Sequence, residues 1–268
     1  MAPITPITPI TPHLGRRQWL RALLGGALAA SLPRPARASY GAPRVMILGD
    51  SMIAGALGLF LENGLRKQQG YIVHRFGKSS TGLARPDFFD WHKEATRQIA
   101  AFPAPDAVIA MFGGNDVQGL YMGKGEWIRW NEPGWADEYA RRLHRFADIV
   151  APEGGRFFWI GMPVMRPEKF HVRVQTINTI VRAELAIRPG GRFIDIWRLL
   201  ADDRGDYAER LPLSDDPRAK KIRVRAGDGI HLSLAGAERV EAHVREHVIA
   251  QLTPADELLA AAEGPLVP

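Results

Sequence analysis

Cysteine is absent from the 268-residue chain, and that absence removes several chemistries together. No disulfide framework, thiolate nucleophile, cysteine-ligated zinc or iron–sulfur cluster can form, nor can an N-terminal cysteine carry a lipid anchor. Beyond residue 38 no apolar run approaches the roughly 20 residues that cross a bilayer. The glycine fingerprint of a dinucleotide site is missing too: Gly49-Asp50-Ser51-Met52 follows the first apolar run instead. Residues 1–38 lack acidic side chains but hold five arginines; setting these aside leaves 30 basic residues against 29 acidic. The net charge of +6 therefore belongs mostly to the N-terminus, and the near-neutral body speaks against nucleic acid as a partner. What remains is ordinary globular composition, 46% hydrophobic and 24% charged, with chain enough for a sizeable core.

From Ile4 to Pro12 the chain repeats Ile-Thr-Pro three times. Proline at every third position blocks both helix and ladder, so an extended, disordered segment is expected. Gly15-Arg16-Arg17-Gln18-Trp19-Leu20-Arg21 follows, then the apolar run Ala22 to Leu32, then the small-x-small sequence Ala36-Arg37-Ala38. This order resembles a twin-arginine export signal, with Trp and Arg standing where that pattern prefers Phe and Lys. It implies a leader over residues 1–38 that is cleaved. The product would be periplasmic or secreted, with no stable membrane span, one domain over 39–254 and a flexible tail over 255–268.

Along the rest, Val45-Met46-Ile47-Leu48, Tyr71-Ile72-Val73, Ala107 to Phe112, Phe157 to Ile160 and Phe193 to Ile196 are short apolar runs separated by helical patterns. Such runs suit strands buried on both faces, and their alternation with helices indicates repeated βαβ units. The expected fold class is α/β, a three-layer α/β/α sandwich around a five-stranded parallel, flavodoxin-like sheet. In such sheets the functional crevice lies beyond the carboxyl ends of the strands.

Three polar blocks fall there. Gly49-Asp50-Ser51 ends the first strand and places a hydroxyl at a helix start; taken alone it reads equally as an N-cap. Gly113-Gly114-Asn115-Asp116 ends the third, with an amide donor at Asn115; taken alone it is a loop or Asx-turn. Asp228-Gly229-Ile230-His231 precedes the last helix, and an aspartate three residues before a histidine can hold the imidazole by its Nδ1–H. Together they supply a nucleophile, an oxyanion donor and an oriented base.

With Gly82 as a loop glycine, these blocks resemble those of the SGNH (GDSL-type) hydrolases, in that superfamily's order and over nearly the whole chain after residue 38. The text around Ser79 to Pro86 and Asn115 to Gln118 is similar to one exported bacterial branch catalogued mainly as a domain of unknown function. The resemblance implies Ser51 as nucleophile, His231 as general base then acid, and Asp228 as its orienter. It implies an oxyanion hole from the Ser51 and Gly82 amides and the Asn115 side chain, with Gly77 an alternative in the same loop. Neither cofactor nor metal is implied. Because relatives stand beside exopolysaccharide and cell-envelope systems, the implied substrate is an acylated carbohydrate or polysaccharide, with an exopolysaccharide synthesis complex as a partner. The implied activity is a serine esterase acting on O-acyl, above all O-acetyl, groups; an O-acetyltransferase and a non-catalytic polysaccharide-binding module are the alternatives.

Substrate-binding candidates are Asp50 and Gln118 within the blocks, Trp127 and Trp130 in the Gly/Trp loop from Tyr121 to Trp135, and Arg166 after the fourth strand. The tryptophans either stack on sugar or anchor their own loop. Lys220 to Arg225 alternates charged and apolar residues, as in an edge strand or a surface meeting an acidic glycan. His243-Val244-Arg245-Glu246-His247 fits H-x-x-E-H, a zinc pattern that would need a further ligand from the tail, for example Glu257 or Glu263. So short a pattern arises easily by chance on an amphipathic helix.

Overall fold

The computed structural model describes residues 41–253 apart from 215 and 217. The expected leader and the tail over 255–268, with Glu257 and Glu263, lie outside the described residues. In chain order the first elements are β1 (Arg44–Gly49), α1 (Ser51–Ala54), α2 (Ala56–Asn63), β2 (Ile72–Gly77), α3 (Trp91–Ala101) and β3 (Ala107–Met111). Next come β4 (Leu120–Gly123), β5 (Glu126–Ile128), α4 (Trp135–Val150), β6 (Arg156–Ile160), α5 (Glu168–Ile187) and β7 (Gly191–Ile194). The chain closes with β8 (Arg210–Pro212), β9 (Lys221–Arg223) and α6 (Leu234–Leu252).

β2-β1-β3-β6-β7 form one parallel sheet in that order, the flavodoxin-like arrangement expected of the fold class. Side chains of β1 from Val45 to Leu48 and all of β3 are buried, which is why these strands read as unbroken apolar runs. Strand order reverses at β1. α2 packs with α6, while α3 packs with α4 and α4 with α5, giving the two helical layers. Among the described residues no helix is long and apolar enough to cross a membrane. Register is what builds the site: Gly49 lies opposite Gly77 on one side and Met111 on the other. Three chain segments thus leave the sheet level with one another, and one of them carries Ser51.

Local detail departs from the periodicity in four places. The first helix is broken at Gly55 and widens to a π-helical turn over Gly64–Gln68. There α6 approaches so closely that a β-carbon on Gly64 would fall 2.0 Å from Glu241 Oε1. The Gly/Trp loop folds into the β4–β5 hairpin, and the charged insertion into β8–β9. α5 begins at Glu168, a turn and a half before its apolar pattern becomes regular.

Two buried charges tie the loops at the sheet's carboxyl end. Arg142 of α4 pairs with Glu138 at 2.7 Å and donates to the carbonyls of Leu83 (2.9 Å), Ala84 (3.0 Å) and Tyr121 (2.6 Å). Asp116 accepts from the Ala84 N–H at 2.8 Å and the Tyr139 hydroxyl at 3.0 Å. Arg142→Met leaves three carbonyls without their donor and Glu138 with Arg141 alone (2.7 and 2.8 Å), so urea unfolding of the variant should show a loss of about 2–4 kcal/mol. A loss under 1 kcal/mol would mean that water replaces the guanidinium.

Candidate active site

Asp50 ends the first strand's turn by donating its N–H to the Met111 carbonyl (3.1 Å), and its carboxylate caps α1 by accepting from the Met52 N–H (3.0 Å). Ser51 therefore opens a helix whose start is locked to both β1 and β3. Its Oγ lies 2.9 Å from His231 Nε2, across 180 positions of chain. His231 Nδ1 lies 2.6 Å from Asp228 Oδ2, while Asp228 Oδ1 accepts from the N–H groups of Ile230 (2.8 Å) and His231 (2.9 Å).

These contacts set the tautomer. An ionised carboxylate only accepts, so the proton sits on Nδ1 and the Nε2 lone pair faces the serine hydroxyl. Partial desolvation raises the Asp228 pKa, but the His231 hydrogen bond and the two backbone donors outweigh it and hold the acid at about 2. Asp228 is thus ionised throughout the neutral range. Asp50 goes the other way. Its complete burial, helped by the nearby Asp116 charge, pushes it up to about 7, against the Met52 N–H and the Asn115 amide. Asp116 is likewise raised by burial.

A cavity of about 300 Å³ opens on the serine. Met52, Met162, Phe170 and Ile230 supply apolar walls; Ser79, Ser80 and Asn115 supply polar ones. The Asn115 amide donates to the Thr81 carbonyl at 2.9 Å and meets the Asp50 carboxyl. In the second loop the cavity wall is Ser79 and Ser80, the latter at φ 61°, and Gly82 is buried behind them. A β-carbon at Gly82 would stand 2.1 Å from Asp116 Oδ1; its glycine makes room for that carboxylate. Gly113, at φ 142°, similarly leaves space for the Met162 side chain, which lines the cavity in turn.

The other candidates are placed less centrally. Asp50 is 1% exposed, spent on the Met52 N–H and Asn115 behind Ser51. Gln118 is a strut: its amide donates to the Asn115 carbonyl at 2.5 Å, and its own carbonyl accepts from Trp135 Nε1 at 2.8 Å. Trp127 and Trp130 line a separate cavity of about 470 Å³. Arg85 lies over Trp127, and Trp130 packs edge-on against Trp135. Arg166 faces the Asp228–His231 loop rather than the cavity, its N–H bonded to Gly229 O (3.1 Å) and its guanidinium to Gly227 O (2.7 Å). His247 Nδ1 binds the carbonyl of His243, and among the described residues no three ligating side chains cluster.

Sequence reasoning missed Arg225. This fully buried guanidinium donates to Ile230 O (2.9 Å), Gly229 O (3.3 Å) and Val164 O, with His231 O at 3.4 Å from Nε. Desolvation lowers its pKa to about 10, partly countered by Tyr207 and Asp228. It lies at the end of an alternating charged-apolar run, where it reads as one more solvated cation.

No curated protein matches the chain. Solved structures similar in fold include the native aryl esterase of M. smegmatis, 17% identical, TM-score 0.55, over 79% of this chain and 100% of that one. A catalytic serine-to-alanine mutant of an acetylxylan esterase from Geobacillus stearothermophilus is 15% identical, TM-score 0.52, over 78% and 95%. A carbohydrate acetylesterase family member from Sinorhizobium meliloti is 15% identical, TM-score 0.52, over 78% and 99%. A family model spans residues 44–247, from the first strand to the last helix. The chain belongs to the family described as "Protein of unknown function (DUF459)", built on the fold of the SGNH hydrolases.

Proposed function

We propose that the protein is an exported serine esterase removing O-acyl, chiefly O-acetyl, groups from carbohydrate through an acyl-enzyme. The observation that carries this reading is the hydrogen-bonded line Ser51 Oγ–His231 Nε2, His231 Nδ1–Asp228 Oδ2 at 2.9 and 2.6 Å, opening on a cavity with apolar walls. As Ser51 Oγ bonds to the ester carbon, its proton passes to Nε2. Asp228 stabilises the imidazolium without taking the proton itself. The carbonyl oxygen becomes an oxyanion facing the Ser51 N–H at the start of α1, a backbone N–H of the Ser79–Gly82 turn, and an Asn115 N–H that turns to it from the Asp50 carboxyl. Collapse expels the sugar hydroxyl, protonated by His231, and water repeats the sequence in reverse to free the acid.

Two further points support the reading. Catalytic mutants of the Geobacillus esterase replace a serine, an aspartate and a histidine, the last two spaced by three positions like Asp228 and His231. The arginine pair and small-x-small site before Ser39 supply the export route.

Ser51→Ala should lower kcat/KM on p-nitrophenyl acetate at least about 10,000-fold and abolish fluorophosphonate labelling, with an unchanged unfolding midpoint. Full activity in that variant would eliminate Ser51 as nucleophile. A second test uses Asp50. Folding raises its pKa from the unfolded value near 4 to about 7, so the folded state holds a proton that the unfolded state releases in this window. Its stabilising contribution is complete below pH 4 and is lost as pH rises towards 7, by up to about 4 kcal/mol. Asp50→Asn should flatten the dependence of the urea midpoint between pH 4 and 7. An equal slope in both proteins would assign the titration elsewhere.

A further inference from the structure

The largest cavity among those detailed above and here, about 690 Å³, lies between the β8–β9 hairpin, the short 3-10 turn Arg198–Leu200 and α6. Four cations line it: Arg198, Arg210, Lys221 and Arg239. Among the described residues none of the four forms an ion pair, whereas their neighbour Arg223 is matched by Glu209 at 2.7 Å. Arg239 spends one donor on the Pro212 carbonyl, and Arg198 lies against Gly205. Two acids share the lining, but the Asp202 carboxylate is turned to the N–H groups of Arg204 and Asp206 in its own turn.

The hairpin register adds an independent sign. It sets Arg210 directly opposite Arg223, and since Glu209 matches Arg223 alone, Arg210 faces a cation across the ribbon with no anion of its own among the described residues. Folding alone gives no reason to gather cations here. An anion bound between them does.

The cleft is also tied to the candidate active site. The chain runs from Lys221 through β9 into Asp228 and His231, then directly into the helix that carries Arg239. The turn bearing Arg198 follows the carboxyl end of β7, three strands from β1, or about 14 Å at 4.8 Å per strand. Leu199, Leu211 and Leu213 give the cleft apolar walls beside its charges, as a carboxylated sugar ring presents both an apolar face and an anion.

We propose that this cleft binds carboxylates of an acidic polysaccharide and holds a neighbouring uronate unit while the acylated sugar sits at Ser51. The proposal rests on the esterase reading and deepens it by naming an anionic glycan as the substrate class.

The test compares O-acetylated polyuronate with O-acetylated neutral mannan, using the full chain and an Arg210→Ala/Lys221→Ala double variant whose fold is checked by thermal unfolding. At low salt the wild type should show a KM at least tenfold lower on the acidic polymer, an advantage removed by 0.5 M NaCl. In the double variant the ratio of the two KM values should fall towards one, through the acidic polymer. Equal KM values in the wild type, with ester turnover intact, would overturn the cleft and leave the esterase reading standing. If no ester is turned over, that reading fails, and the cleft is judged by calorimetry with deacetylated polyuronate. Salt-sensitive binding lost in the double variant supports it; no binding overturns it. Equally tight binding of duplex DNA or of anionic lipid vesicles also overturns it, since the site would then be a general polyanion surface.

Discussion

A cation without an anion holds the Asp228–His231 loop in place. Arg225 is fully buried and forms no ion pair among the described residues, yet its guanidinium serves carbonyls from two separate segments, Val164 on one side and Gly229 and Ile230 on the other. Burying a charge this way is costly unless its donors are matched, and here the matching falls on backbone carbonyls of the Asp228–His231 turn and of Val164. The chain reverses between Arg225 and Leu232, which bridge to each other, so the six-residue excursion carrying Asp228 and His231 is closed at its base and filled by the arginine stem. A lysine could not reproduce the fork that reaches several carbonyls at once.

The two halves of the candidate site are anchored by different physics. Ser51 is placed by the sheet: the register of Gly49 with Gly77 and Met111 and the cap by Asp50 leave α1 little freedom. Behind it, Trp91 Nε1 bonds Thr81 Oγ1 at 2.9 Å, so the aromatic cluster of Trp91, Phe112 and Phe146 reaches through to the second loop. Asp116 and Arg142 finish that side with buried polar contacts. Large core packing thus determines where the hydroxyl and its polar neighbours stand, while His231 arrives on a loop.

This division explains what could be read from residues alone. β1 and β3 are buried on both faces and carry no competing pattern, so their positions and the polar blocks after them were legible. The β4–β5 hairpin was not, because its short strands are made largely of glycine, aromatic and charged residues that give no alternation. Gly82 lay in the expected loop, but that its missing β-carbon makes room for the Asp116 carboxylate is a matter of three-dimensional packing that no spacing reveals, and it does not bear on its N–H. Arg225 and Arg142 were hidden by the same ambiguity of type. An arginine in a charged run reads as solvated, and burial is decided by what folds over it.

The exposure of His231 follows from how it is oriented. His231 and Asp228 have side chains 42% and 45% exposed, far from the sealed environment in which an orienting carboxylate often sits. Asp228 has no need of burial to stay fixed: one oxygen takes the imidazole and the other takes two N–H groups of the same tight turn. Those donors keep it ionised by hydrogen bonding rather than by a distant charge, so the geometry is carried within four consecutive residues. Arg225 from beneath and Arg166 from the side then need only position that unit as a whole. A compact, self-oriented unit held by carbonyl contacts leaves its outer face open to solvent beside Ser51 without loosening the line from Asp228 to the hydroxyl.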